Sequence, residues 1–303
     1  MTSSIYKNIL LVGATGTVGE QVLSALLADS AFNVTILSRT NSKATFPSNV
    51  QVIKIDYSDT VALTKALTNQ DVVISTIGGE GLAKNFGEVL VQAAIDAKVK
   101  WFIPSEFGID YEDPSANIPL LATKLAVVNL LKKHSSRISY TLITTGAFVD
   151  WGFDNGFLSF DINNRTATLY DEGKYRVSGI TLPSIGKAVV AVLHHPQLTQ
   201  NKRIFVADVT FTQQEALALF ERYTNTKWSI KHIRTIDARK EAEENLKKGN
   251  IQQAFGGYLL SYIYNEHEGG NFDGKTINKD LGLSTISLDQ IVKEAVSRKT
   301  RTN

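Results

Sequence analysis

From Ile5 to about Thr145 the chain alternates short β-branched apolar runs with stretches whose apolar residues recur at three- and four-residue spacing. No other feature restricts the fold as much. Runs such as Ile9-Leu10-Leu11-Val12 and Val72-Val73-Ile74 are apolar without a break, as strands are when a parallel sheet is covered on both faces. The pattern predicts strands at 8–12, 33–38, 50–55, 72–77, 100–103 and 140–144, with helices at about 17–29, 60–67, 84–97 and 120–134 between them. Strand, helix and parallel strand repeated in this way define an α/β fold with a doubly wound parallel sheet.

Beyond Gly146 the alternation stops, and the aromatic, turn-rich stretch 151–157 marks a boundary. A helix at about 184–193 and a strand at 203–207 are suited to return to the first sheet's edge. The expected division is therefore a first α/β domain over 1–150, with 184–208 returning to it, and a smaller domain over 151–183 and 209–303. Helices at about 213–224, 237–248, 251–264 and 288–298 make that second unit mostly helical. The basic end at 298–301 reads as frayed.

Composition narrows the function. With 303 residues, 43% of them hydrophobic, a sizeable core is available. Thirty-two Lys and Arg against 30 Asp and Glu leave a formal charge of +2, too little to advertise nucleic acid as a partner. The absence of cysteine excludes disulfides, thiolate metal sites and a cysteine nucleophile. His134, His194, His195, His232 and His267 lack ligand spacing, so no metal is expected. The apolar run Ile9 to Val12 is too short for a signal peptide, and no stretch of about 18 apolar residues suggests a membrane span. A cytoplasmic protein is the expectation.

The first candidate site follows the first strand directly. In Gly13-Ala14-Thr15-Gly16-Thr17-Val18-Gly19 the glycines stand three apart and open a helix. Gly13 permits a tight turn, Gly16 lets a diphosphate approach the backbone, and Gly19 lets helix and strand pack closely. The N–H groups of the helix start, around Thr15, Thr17 and Val18, would face that diphosphate. A plain strand-to-helix turn is the rival reading, but a preceding strand and following helix in the chain's first βαβ unit favour dinucleotide binding in a Rossmann sheet.

The second strand ends in Leu37-Ser38-Arg39-Thr40, with no carboxylate for a ribose 2′-hydroxyl. Arg39 and Lys43 offer cations to a 2′-phosphate instead, which predicts NADP(H) over NAD(H); a solvated loop cation is the alternative for Arg39. Asp56-Tyr57 and Ser75-Thr76-Ile77-Gly78-Gly79 end the third and fourth strands at the same sheet edge. Asp56 is placed to accept from an adenine amino group, and Gly78-Gly79 to let backbone run beside the cofactor, unless both are turn chemistry alone.

Lys124 is the odd residue of its helix, with apolar neighbours on nearly all sides. A desolvated lysine has a lowered pKa and suits general acid–base work, whereas a snorkelling lysine needs no function. The residues alone leave both readings open.

Taken together, the glycine loop, Phe102-Ile103-Pro104-Ser105-Glu106-Phe107-Gly108, the helical Lys124 and Thr145-Gly146-Ala147-Phe148 resemble the isoflavone reductase-like branch of the NmrA-like family, atypical short-chain dehydrogenases. The resemblance covers most of the chain and is tightest over 5–150. It implies an NADP-binding Rossmann domain carrying a substrate domain, Lys124 as the group that moves the proton, and Ser105 and Phe148 beside the cofactor. A usual short-chain dehydrogenase has Tyr-x-x-x-Lys on this helix, and here Leu120 stands where the tyrosine would be. Lysine alone suits the phenylpropanoid-type enones, quinone methides and benzylic ethers that the resemblance implies. Phe107, Trp151, Phe153, Phe157, Tyr258 and Tyr262 are candidates for an aromatic substrate wall, with core or domain-interface packing as their other reading. The rival function is an NADP(H)-binding redox sensor that regulates a transcription factor by contact. A sugar-nucleotide epimerase is a third reading, weakened by the missing Tyr-x-x-x-Lys. Monomer and homodimer both stay open.

Overall fold

The computed structural model describes residues 6–78 and 85–301. Its strands are β1 Asn8–Val12, β2 Asn33–Arg39, β3 Gln51–Ile55, β4 Val72–Ser75, β5 Trp101–Ile103, β6 Ser139–Thr144, β7 Ala147–Phe148, β8 Phe160–Asp161, β9 Thr166–Tyr170, β10 Arg176–Ile180, β11 Lys202–Phe205, β12 Val209–Thr212 and β13 Ser229–Ile233. Seven of them form one sheet in the order β11-β6-β5-β4-β1-β2-β3, and every pairing in it is parallel. This is a Rossmann-like α/β sheet, in which the strand order reverses between β1 and β4.

The unbroken apolar runs have a direct cause. In β1, Ile9 and Leu11 face one helical layer while Leu10 and Val12 face the other. Helices Thr17–Leu27 and Leu182–His194 cover the first face. Helices Thr60–Leu67, Phe86–Asp96 and Ala122–Lys133 cover the second. Helix Leu182–His194 approaches the first helix closely: a Cβ on Gly186 would lie 2.3 Å from the Gln21 carbonyl oxygen. Strand β11 pairs in parallel with β6 and forms the edge of the sheet on this side.

Element limits shift where local bonds intervene. Strand β4 stops at Ser75 because the Thr76 N–H and hydroxyl both turn onto the Val12 carbonyl, each at 2.9 Å. Pro119 starts a 3-10 turn, Pro119–Leu121, so the α-helix expected from 120 begins at Ala122. Gly79 and Lys84 lie outside the described residues. The basic end is no frayed tail: helix Leu288–Arg301 runs through it, with Arg298 paired to Asp154 at 2.8 Å.

Helical content in the later part matches the expectation, but two three-stranded sheets, β12-β10-β7 and β13-β9-β8, accompany the helices there. Their strands have only two to five residues, and β13 is almost wholly exposed, so they send no apolar signal. A third core cluster fills this part, centred on Phe153, Phe160, Phe211, Phe220 and Trp228.

Candidate active site

A cleft of about 860 Å³ opens over the carboxyl ends of β1, β2, β3 and β4, where the strand order reverses. Open α/β sheets bind ligands at such points. Gly13, Thr15, Gly16, Arg39, Asp56, Tyr57, Thr76, Ile77 and Gly78 all line it. Gly13 has φ +89°, which a side chain rarely adopts, and a Cβ on Gly19 would stand 2.0 Å from the Gly13 carbonyl oxygen. A Cβ on Gly16 would meet nothing nearer than 3.5 Å, so its bare Cα is turned to the open side of the loop. Gly16 caps helix Thr17–Leu27 without any side-chain bond, which leaves the first-turn N–H groups, those of Thr17, Val18 and Gly19, available to an anion.

Around the rest of the rim the arrangement is polar. Arg39 is exposed at the end of β2. Lys43, four residues on, is exposed and is not among the cleft-lining residues. Asp56 Oδ1 accepts from the Ser58 N–H at 2.9 Å and its hydroxyl at 2.8 Å, turn chemistry that lowers the carboxyl's pKa. Tyr57 stacks on Phe86 with ring centroids 4.4 Å apart and donates to the Leu37 carbonyl at 3.0 Å; burial pushes its hydroxyl up to about 12.

A smaller cavity of about 20 Å³ lies beside the cleft, lined by Ser75, Ile77, Ser105, Glu106 and Lys124 among others. Ile77 borders both cavities, so the lysine pocket adjoins the cleft at the end of β4. Lys124, on the first turn of helix Ala122–Lys133, donates through Nζ to the Ser105 carbonyl. Burial lowers its pKa, the Glu106 carboxylate opposes that shift, and Arg203 reinforces it.

Glu106 and Arg203 escaped the sequence reading. Glu106 is 2% exposed, and burial raises its carboxyl to about 7 against the downward pull of Lys124 and Arg203. Arg203, on β11, reaches Glu106 at 3.4 Å, Asp110 at 3.2 Å and Glu112 at 3.0 Å, and donates to Thr144 Oγ1 at 2.6 Å. A carboxylate inside an otherwise apolar run was the available signal for Glu106. Arg203 offered none, because its partners lie 59 to 97 residues away in sequence.

The aromatic candidates separate. Phe153 is 1% exposed and meets Phe220 edge to face at 5.1 Å. Tyr258 is buried beneath the Arg239 guanidinium at 4.4 Å. Tyr262 is buried with its hydroxyl on the Asp110 carbonyl and Asp113 Oδ2, both at 3.1 Å. These three are core residues rather than a wall, since their helical faces turn toward the interior. Phe107 belongs to the core on one face of the large sheet. Phe148, in β7, is half-buried against that same core. Trp151 and Phe157, tilted together at 5.4 Å, remain half-buried. Among the described residues no helix is long and apolar enough to cross a membrane, and no three metal-ligating side chains gather.

The model of the NmrA-like family matches residues 6–255, and the chain belongs to that family. It is 33% identical over 292 residues to Oxidoreductase aprR of Aspergillus flavus, spanning 94% of this chain and 97% of that one. With Phenylcoumaran benzylic ether reductase IRL1 of Ginkgo biloba it shares 25% identity over 273 residues, 85% of each chain. Within the family it is an oxidoreductase of the isoflavone reductase-like type. Among solved structures, AtPrR2 with NADP+ and (+)pinoresinol superposes with a TM-score of 0.81 at 23% identity, covering 96% of this chain and 99% of that one. The leucoanthocyanidin reductase–NADPH complex from Vitis vinifera gives 0.78 at 21% identity, with the same coverage. At these identities the likeness is one of fold.

Proposed function

We propose that the protein is an NADPH-dependent reductase of a small aromatic molecule, with Lys124 as its general acid–base. One observation carries the reading: a glycine-cradled cleft with a cation and no carboxylate at the end of β2 adjoins, at Ile77, the pocket of a desolvated lysine. The residues fit NADP(H). The backbone of Gly13 to Gly19 would hold the diphosphate, and Arg39 the 2′-phosphate. Asp56 and Tyr57, which line the cleft, would meet the adenosine end, and Ser105 and Phe148 the nicotinamide. Bound there, the dinucleotide would supply hydride.

The chain's own contribution is proton control. Leu120 sits in the 3-10 turn before the lysine helix, where it has no hydroxyl to offer a carbonyl oxygen. Lys124 therefore handles the phenol or enolate proton itself, and an amine whose pKa burial has lowered gives up its proton more readily than a free lysine. This favours enones, quinone methides or benzylic ethers of the phenylpropanoid kind, the class to which the names of IRL1 and AtPrR2's bound pinoresinol belong. The part formed by 151–183 and 209–301 would receive the substrate, with Trp151 and Phe157 as its aromatic surface.

The test is NADPH consumption over a panel of such compounds by wild type, Lys124→Ala and Arg39→Ala. Turnover that collapses in Lys124→Ala with NADPH binding intact is the expected result. Arg39→Ala should lose roughly tenfold or more in preference for NADPH over NADH, the worth of one charge-assisted phosphate contact. Full turnover by Lys124→Ala refutes the proton role. Tight NADPH binding without turnover on any compound would point instead to a sensor.

A further inference from the structure

The motif Pro104-Ser105-Glu106-Phe107-Gly108 contains a carboxylate that the proposed reaction has not used. Its surroundings give it a task. Glu106 is 2% exposed, and it lines the same small cavity as Lys124, together with Ser75 and Ser105. The charged groups around the pair come from three elements. Lys124 and Lys132 belong to helix Ala122–Lys133, Arg203 belongs to β11, and Glu106, Asp110 and Glu112 lie on the segment after β5. Lys132 pairs with Glu112, and Arg203 spans all three carboxylates. Three cations thus face three carboxylates. Ionised throughout, the cluster is neutral, and without Glu106 it carries a net positive charge beside the lysine.

We propose that Glu106 is the positioning residue of Lys124: its buried carboxylate, steadied by Arg203, determines how readily the Lys124 amine holds a proton. The inference rests on Lys124 as the acid–base group. Glu106 makes its ion pair with Arg203 rather than with Lys124, whose ammonium donates to the Ser105 carbonyl, next to Glu106 in sequence. It acts through its field across a cavity of about 20 Å³, a space and polarity suited to one bridging water. An opposite charge within about 4–6 Å moves a titration by about one to three units. Arg203 serves a second purpose. By drawing on Glu106, Asp110 and Glu112 together it keeps the Glu106 carboxylate from forming a tight ion pair that would hold the lysine permanently charged.

The experiment reads Lys124 without any substrate. The full-length protein is labelled with acetic anhydride over a range of pH, and acetylation of Lys124 is followed by peptide mass spectrometry, which gives the titration midpoint of that amine. In Glu106→Gln the midpoint should fall by about one unit or more, tenfold in the protonation equilibrium. Glu106→Asp, which keeps the charge, should recover most of the shift. NADPH binding, measured in parallel, establishes that each variant is folded. An unchanged midpoint in Glu106→Gln overturns the proposal, and so does a midpoint in Glu106→Asp as low as in Glu106→Gln. Because no turnover is needed, failure here leaves the reductase reading standing, and an inactive substrate panel leaves this result intact. Where a substrate is found, the pH–rate profile of Glu106→Gln should move in the same direction, a change that a merely structural role would not produce.

Discussion

Replacing Glu106 by glutamine should also alter how stability depends on pH, by an amount that the structure supplies. Burial raises the carboxyl from 4.5 to about 7 in the folded chain. The unfolded chain releases this proton first, so between those two values the folded state binds more protons and stability falls as pH rises. At 1.36 kcal/mol per unit, the loss between pH 5 and pH 8 comes to about 2–3 kcal/mol. Glutamine, which mimics the protonated carboxyl, removes the slope. Lys124 titrates with the opposite sign: its pKa is lowered on folding, so its contribution to stability grows with pH. Loss of Glu106 lowers that pKa further, and both effects therefore favour the variant as pH rises. Urea unfolding of wild type and Glu106→Gln at pH 5 and pH 8 measures the double difference directly. Wild type should lose about 2–3 kcal/mol relative to the variant over that range. Parallel pH dependences in the two proteins would refute the reasoning, because a carboxyl ionising near its ordinary value contributes no such slope.

Other substitutions test separate parts of the structure. Gly19→Ala places a Cβ 2.0 Å from a backbone oxygen and 2.8 Å from Thr76 Oγ1, so fluorescence titration should show NADPH affinity down by roughly tenfold or more, with about 1–3 kcal/mol of stability lost. Gly186→Ala drives a Cβ against the Gln21 carbonyl at 2.3 Å and should cost a similar amount by thermal unfolding without touching the cleft. Phe153→Ala should lower stability by about 3–5 kcal/mol while leaving NADPH affinity within about twofold, since its cluster and the sheet's cores are distinct. Tyr262→Phe deletes a hydroxyl bonded to the Asp110 carbonyl and Asp113; with a turnover assay in hand, kcat should fall more than KM rises. A KM effect alone would restore Tyr262 to the substrate wall.

The large sheet was legible because its strands are buried on both faces. Ile9 to Val12 and Val72 to Ile74 each fill two helical layers, and that requirement is written as uninterrupted apolar sequence. The glycine loop was legible for a similar reason, since a Cβ on Gly19 would stand 2.0 Å from the Gly13 carbonyl oxygen and no side chain fits there. The small sheets were not. Strands of two to five residues, one of them facing solvent along its length, carry neither alternation nor apolar runs. Lys124 stood out because a charge among apolar neighbours is rare, but the groups that tune it did not. Arg203 joins Glu106 across 97 residues and Glu112 across 91, and no local pattern encodes a contact of that range. The aromatic residues carried two readings for another reason: ring content alone does not distinguish the wall of a cavity from the inside of a core.

Tyr262 connects these two cases. Its hydroxyl holds the carbonyl of Asp110 and the carboxylate of Asp113 on the segment that follows β5. Arg239 grips that segment further along, through the Ala116 and Asn117 carbonyls. Near its start, the Gly108 carbonyl accepts from Thr145 at 3.1 Å and Gly146 at 2.8 Å, and Gly108 has φ +134°. The same segment carries Glu106 to Lys124 and presents three carboxylates to Arg203 on the sheet's edge. One loop is therefore fixed at once by the edge of the dinucleotide-binding sheet and by two helices of the aromatic-rich part. A group whose proton must be tuned by a neighbouring charge needs that charge held still, and a surface loop left to itself would not hold it. Tyr262, and Tyr258 beneath Arg239, thus serve the loop: from the far side they anchor the segment that carries Glu106 to the lysine.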